Sequence, residues 1–261
     1  MPFTIRDIPA AMRKNGWAVG ARLMDRWFAG TTRAMRARDK VNLGTWPDIE
    51  RRAVTMRWAL GFARVAEAQQ RLLTTWHQPP RRAPSAAVTQ ERLRASGLAR
   101  GKPFRFGNLG LASPAVDAHW QVNREVLEST LFGTVDDFYC AMGNALLMLA
   151  VAGEATPLAG GRWRVTIDDV GTYIRDSYDF LGSQRLGAWG PDGFSRIALL
   201  ASEVPIIAEQ PHSDGRGRYF SVSNESFDKY RNHYGRGGDF AIFSDIVRTR
   251  LAHPVTMELV L

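Results

Sequence analysis

The chain is poor in cysteine, in long apolar runs and in the short motifs that announce nucleotide or zinc chemistry. Its one cysteine, Cys140, rules out an internal disulfide framework and a cysteine-rich zinc site. Cys140 stands in an apolar stretch that reads as a strand. That points to a buried, inert thiol, with a lone catalytic cysteine as the other reading. No apolar run approaches the roughly 20 residues needed to span a bilayer. Residues 141–152 come nearest, and they read as core. The N-terminus has no continuous apolar segment of the Sec type, so no Sec signal is expected. The five histidines show no His-x-x-x-His spacing, which leaves a histidine zinc site unsupported. Gly235-Arg236-Gly237-Gly238-Asp239 lacks the Gly-Lys-Ser/Thr ending of a phosphate loop, and Gly160-Gly161 reads as a turn between strands. There is no Gly-x-Ser-x-Gly elbow, no internal repeat and no low-complexity tail. No motif that reads nucleic acid is present, so no nucleic-acid partner is expected.

What is there is enough for a folded core, with 45% hydrophobic residues among 261. The net charge of +8 conceals a split. Residues 1–105 carry 21 Lys and Arg against 7 Asp and Glu, and residues 106–261 carry 13 against 19. A basic, mostly arginine half suits phosphates, anionic lipid headgroups or an acidic partner. It equally suits a solvated face docked on the acidic half.

The pattern divides into a basic helical region over 1–77, a linker or irregular wrap over 78–118, and an α+β region over 119–261. Apolar residues at helical spacing predict one amphipathic helix over 5–30 (Ile8, Met12, Val19, Leu23, Trp27, Phe28). A second is predicted over 46–76, with Thr45 and Asp48 as a capping box. Pro79-Pro80-Arg81-Arg82-Ala83-Pro84 reads as non-helical, with a short helix at 88–96 and another near 119–131. From Asp137 the signal turns to strands at 138–152, 162–167, 170–175, 178–181, 218–222 and 240–246. Residues 194–208 are ambiguous between strand and helix, and a helix is expected from Ser223 or Asn224 to Tyr234, stopped by Gly235. The expected fold class is α+β, a helical N-terminal part followed by a twisted antiparallel, half-barrel-like sheet.

The segment Asp176-Ser177-Tyr178-Asp179-Phe180 carries the strongest chemical signal. On an extended strand 176, 178 and 180 share one face and 179 takes the other. Two carboxylates beside a core need a partner, water or a metal. The competing reading is a strand end whose aspartates cap a turn.

Around that segment lie Met142-Gly143-Asn144-Ala145-Leu146-Leu147-Met148-Leu149, Gly160-Gly161-Arg162-Trp163-Arg164-Val165 and Ser183-Gln184-Arg185. Over about residues 139–187 the pattern resembles the activity domain of colicin M, a bacteriocin that cleaves lipid II. The whole chain also resembles a bacterial family of unknown function, DUF6402, found near type VI secretion genes. The marks of that family here are Ile8-Pro9, Gly16-Trp17, Met24-x-x-Trp27-Phe28 and Tyr234-Gly235-Arg236-Gly237-Gly238-Asp239-Phe240.

The colicin M resemblance implies an antibacterial effector that hydrolyses the lipid-linked peptidoglycan precursor at its diphosphate. Asp176, Tyr178, Asp179 and Arg185 would be the catalytic set. Asp176 and Asp179 would hold a Mg²⁺, Tyr178 would position a phosphate oxygen and Arg185 would clamp one. The implied partners are the lipid-linked precursor, a component of the secretion apparatus, an immunity protein and an anionic membrane surface. The implied location is synthesis in the bacterial cytoplasm and action in the periplasm of a target cell. One position departs from the family. Its histidine before the arginine is Gln184 here, which cannot shuttle a proton near neutral pH. His233 and His212 are the candidate replacement bases. The alternative functions are a non-enzymatic adaptor on the same scaffold and a membrane-permeabilising toxin acting through the N-terminal helices.

Overall fold

The structure, a computed structural model, describes residues 3–128, 135–195, 211–213 and 218–261. The chain opens with helices α1 (Ile8–Lys14) and α2 (Ala18–Ala29). Where one helix was expected, Gly16 at φ 78° breaks it in two. Both segments keep the expected apolar face, and Ile8, Met12, Leu23 and Trp27 are buried. A 3₁₀ segment follows at Ala37–Thr45.

The predicted helix over 46–76 is replaced at its start by strand β1 (Ile49–Glu50), then by α3 (Met56–Ala59) and α4 (Ala63–Thr75). Asp48 is drawn away from a capping role by Arg26, whose guanidinium lies 2.5 Å from its carboxylate. Thr55, not Thr45, caps the first helix there, accepting from the Trp58 amide. The expected irregular stretch contains a 15-residue helix, α5 (Arg82–Ser96). Pro84 is tolerated because it lies in the first turn, where amides have no intrahelical acceptor in any case. Strand β2 (Phe104–Phe106) and helix α6 (Ser113–Trp120) come next. The helix expected at 119–131 is instead strand β3 (Gln121–Leu127).

Helix α7 (Asp137–Met142) and strand β4 (Ala145–Pro157) share the run predicted as one strand. Strand β5 (Arg162–Tyr178) joins the predicted strands at 162–167 and 170–175. The step at Asp168–Asp169 that made them look separate is a register irregularity opposite Ala152/Gly153. It keeps Val165 and Ile167 before it, and Val170, Ile174 and Tyr178 after it, in the same core. Asp168 is held by Arg105 and Arg250, and Asp169 by Arg248.

The chain continues with β6 (Arg185–Gly190), β7 (Gly193–Phe194), β8 (Pro211–Ser213), β9 (Arg218–Ser223), α8 (Asn224–Tyr234), β10 (Phe240–Phe243) and β11 (Val247–Val260). The helix after Ser223 and its stop at Gly235 are as expected. Most of the ambiguous stretch 194–208 lies outside the described residues.

The fold is α+β, with helices around a curled, half-barrel mixed sheet. That sheet runs β1-β10-β5-β4-β2, with β11 also pairing β5 and β3 also pairing β4. All its pairings are antiparallel except β1 with β10. A smaller sheet runs β7-β6-β9-β8. One hydrophobic cluster joins Ile8, Met12 and Trp27 of the N-terminal helices to Val170, Tyr178 and Ile242 of the large sheet.

Part of the charge split resolves here. Arg64 grips Asp136 through two hydrogen bonds of 2.6 and 2.7 Å, and Arg105 reaches Asp168. Arg71 and Arg81 both reach Glu125. The basic half thus docks in part on the acidic half.

Candidate functional site

Strand β5 ends at Tyr178, and this ending builds the site. Asp176 and Tyr178 lie on the strand face that meets the main core, with Asp176 opposite Ile242 and Tyr178 opposite Phe240 of β10. Asp179 was expected on the opposite face, but the chain has left the strand there. Its carboxylate turns into the same cavity. The cavity has a volume of about 230 Å³. Its polar lining includes Asp176, Asp179, Lys40, Asn144, Gln184 and Asn224. Its apolar walls come from α1 and α2 (Ile8, Met12, Met24), from Phe180, and from Phe227 of α8. The Phe180 ring stacks on that of Phe227 at 3.6 Å, and Tyr178 stacks on Phe240 at 5.0 Å.

The two carboxylates have unlike settings. Lys40 Nζ lies 2.9 Å from Asp179 Oδ1 and 2.8 Å from Oδ2, and the Asp179 side chain is 5% exposed. The Leu181 amide donates to the same Oδ1 at 3.2 Å. Asp176 is half-buried and borders the cavity. Burial pushes its carboxyl well above the usual range. The Ser177 amide counters this, and the negative charge of Asp179 adds to it. One cavity therefore holds a carboxyl that burial pushes up and a second carboxyl tied to an ammonium.

Burial also raises the Tyr178 phenol, so this group stays neutral. Tyr139, also on the cavity, is pushed up to about 12 by burial and the nearby Cys140. Cys140 belongs to α7, not to a strand. It borders the cavity half-buried, and burial raises its thiol, with Asp137 and Asp136 adding to the effect. The thiolate is the nucleophilic form, so this setting disfavours a nucleophilic role, though Cys140 is less buried than its strand reading implied.

Of the expected catalytic set, Asp176, Tyr178 and Asp179 come together. Arg185 does not join them: it opens β6 opposite Ser223, is exposed, and is not part of the cavity lining. Gln184 does line the cavity. His233 is exposed on α8 with its ring against Tyr234, away from the cavity. His212 falls in β8, and its side chain lies outside the description.

The residues do not fit a Mg²⁺ ion as arranged. Lys40 already meets the charge of Asp179, and burial raises the Asp176 carboxyl. Among the described residues no group of three or more His, Cys, Asp or Glu is placed to hold a metal.

Sequence reasoning missed Lys40, which reaches the site from 139 positions away. Nothing in its surroundings distinguishes it from the other basic residues of the N-terminal half. It also missed Asn224, whose position at the start of α8 was predicted but whose side chain, donating to the Leu181 carbonyl at 2.6 Å, was not.

Over residues 3–259 the chain matches a family of unknown function, DUF6402, and it belongs to that family. No curated protein and no solved structure matches it.

Proposed function

We propose that the chain is an antibacterial effector of colicin M type that hydrolyses the lipid-linked peptidoglycan precursor at its diphosphate. One observation carries the reading: the Asp-Ser-Tyr-Asp-Phe segment delivers two carboxyl groups into one partly apolar cavity, one pushed up by burial and the other held by the Lys40 ammonium. Two carboxyl groups in such unlike settings suit acid and base roles.

Water attacks the phosphorus nearer the lipid, and Asp179, oriented by Lys40, takes its proton. The bond from phosphorus to the lipid oxygen breaks, and Asp176 gives its proton to that leaving oxygen. The products are the lipid alcohol and the pyrophosphoryl disaccharide-peptide. As Asp179 takes that proton, the Lys40 charge is released to offset phosphate charge, and Tyr178 stays a neutral donor toward a phosphate oxygen. Gln184 supplies a neutral hydrogen bond where the colicin M family has its histidine, and Asn144 adds another. No step needs a metal or a histidine. Delivery by a type VI apparatus, an immunity partner and action in the target periplasm belong to this proposal through the family resemblance alone. The test is turnover of the precursor by the purified protein, with Asp179→Ala as the folded control.

The exposed place of Arg185, away from the cavity, favours a second reading. There the same cavity holds a ligand or a peptide without turning it over, and the protein is an adaptor. A stable protein partner in pull-down, with no precursor turnover, would establish it.

A further inference from the structure

The glycine-rich motif Tyr234-Gly235-Arg236-Gly237-Gly238-Asp239 takes no part in the chemistry above, yet it is among the most firmly held stretches of the chain. Asp239 is buried and accepts from Trp27 Nε1 and from the Met35 amide, each at 2.8 Å. It also pairs with Arg231 of α8. A methyl group on Gly237, at φ 105°, would fall 2.4 Å from the Trp27 ring. The backbone between these points is fastened to residues 31–35. Thr31 bridges to Arg236, Arg33 bridges to Gly238, and the Asp239 amide donates to the Arg33 carbonyl at 2.8 Å. A few residues on, the Arg36 amide donates to Asp39.

A rigid backbone thus presents Arg33, Arg36, Arg38 and Arg236, all exposed. Among the described residues no carboxylate lies within 4 Å of the guanidinium groups of Arg33, Arg36 or Arg236. Arg38 has only Asp39, at 4.0 Å. Most other arginines near the site are already committed: Arg26 to Asp48 and Glu50, Arg231 to Asp239 and Arg175 to Asp117. The segment carrying Arg33, Arg36 and Arg38 runs directly into Lys40, whose side chain enters the cavity and is 39% exposed. The cavity itself has no surplus positive charge, since Lys40 is matched by Asp179.

We propose that Arg33, Arg36, Arg38 and Arg236 form an anion-binding lip beside the cavity that takes a phosphate-bearing ligand. The guanidinium fork suits phosphate oxygens, and a preorganised backbone lowers the ordering cost of binding. The proposal deepens the hydrolase reading by naming where substrate charge outside the cavity is met. It does not need turnover to be tested.

The experiment measures binding of inorganic pyrophosphate by calorimetry, and of phosphatidylglycerol–phosphatidylcholine vesicles by flotation. It compares wild type with Arg33→Gln/Arg36→Gln/Arg236→Gln. The control is Arg6→Gln/Arg82→Gln/Lys102→Gln, which removes the same charge from exposed positions elsewhere. Melting curves confirm that both variants fold. The expected result is a loss of roughly tenfold or more for the lip variant and little change for the control. Loss in the pyrophosphate arm identifies a soluble phosphate ligand, and loss in the vesicle arm alone identifies lipid headgroups. Equal losses in lip variant and control, or no binding of either probe by wild type, would overturn the lip. A protein that binds through the lip but leaves the precursor intact would overturn only the hydrolase reading.

Discussion

Asp176 is the residue at which function and stability pull in opposite directions. Its folded-state carboxyl sits above its unfolded value of about 3.9. Below that pH both states are protonated, and the group costs nothing. As pH rises from there toward the folded value, only the unfolded state ionises, so the native state loses stability. Asp176→Asn removes this penalty while keeping the shape. It is expected to raise the melting temperature at pH 7, by about 2–4 °C for each kcal/mol recovered, with the gain vanishing near pH 3.5. The same variant is expected to lose turnover, because an amide gives no proton to a leaving oxygen. Melting curves at several pH values read the first effect, and product assays read the second. For Lys40 the expectation is graded. Lys40→Met leaves a buried carboxylate without its counter-ion, whereas Lys40→Arg retains the charge. Turnover should fall in the order wild type, Lys40→Arg, Lys40→Met.

At the scale of elements, the fold depends on how the motif after α8 locks onto α2. Asp239→Ala would leave buried Arg231 with only Asp228 and the Gly237 carbonyl among the described residues, and deprive Trp27 Nε1 and the Met35 amide of their acceptor. The expected cost is about 3–5 kcal/mol, read by urea denaturation. The full-length family pattern picked out both halves of this lock, Met24-x-x-Trp27-Phe28 and Gly235 to Phe240, without revealing that they touch. Elements with strong periodicity or punctuation were legible, such as the apolar faces of α1 and α2, α8 with its stop at Gly235, and β10. Others were not, because tertiary partners decide them. Glu50 turned the start of the predicted second helix aside by accepting from the Arg52 and Ala53 amides. Asp245 accepts from the Met56 amide at 2.6 Å, which fixes where α3 begins. Strand β3 carried a helix-like pattern because its faces pack unequally, Val122 and Leu127 buried while Val126 is 53% exposed. The site was half legible for the same reason. Asp176, Tyr178 and Asp179 are local in sequence, whereas Lys40 reaches them only through the fold.

For the molecule as a whole, the charge split is partly internal docking and partly the exposed arginine lip. The main core runs from Ile8 to Met257. A chain held in this way is expected to unfold in a single calorimetric transition, with the N-terminal helices melting together with the sheet. Two separate transitions would show that residues 1–77 form a unit of their own. The cavity also draws on both halves of the chain, since Met12, Met24 and Lys40 face Asp176 and Asp179 across it. Because Lys40 supplies the cation there, turnover is expected to persist in EDTA. A strict Mg²⁺ requirement would show that Lys40 leaves Asp179 during catalysis.

The central claim is that this cavity hydrolyses the lipid-linked precursor. The most direct test incubates the purified chain with lipid II, beside Asp179→Ala of matched folding, and looks for the released pyrophosphoryl disaccharide-peptide. Wild type is expected to release product and the variant none. No product from folded wild type, or equal product from both proteins, would contradict it.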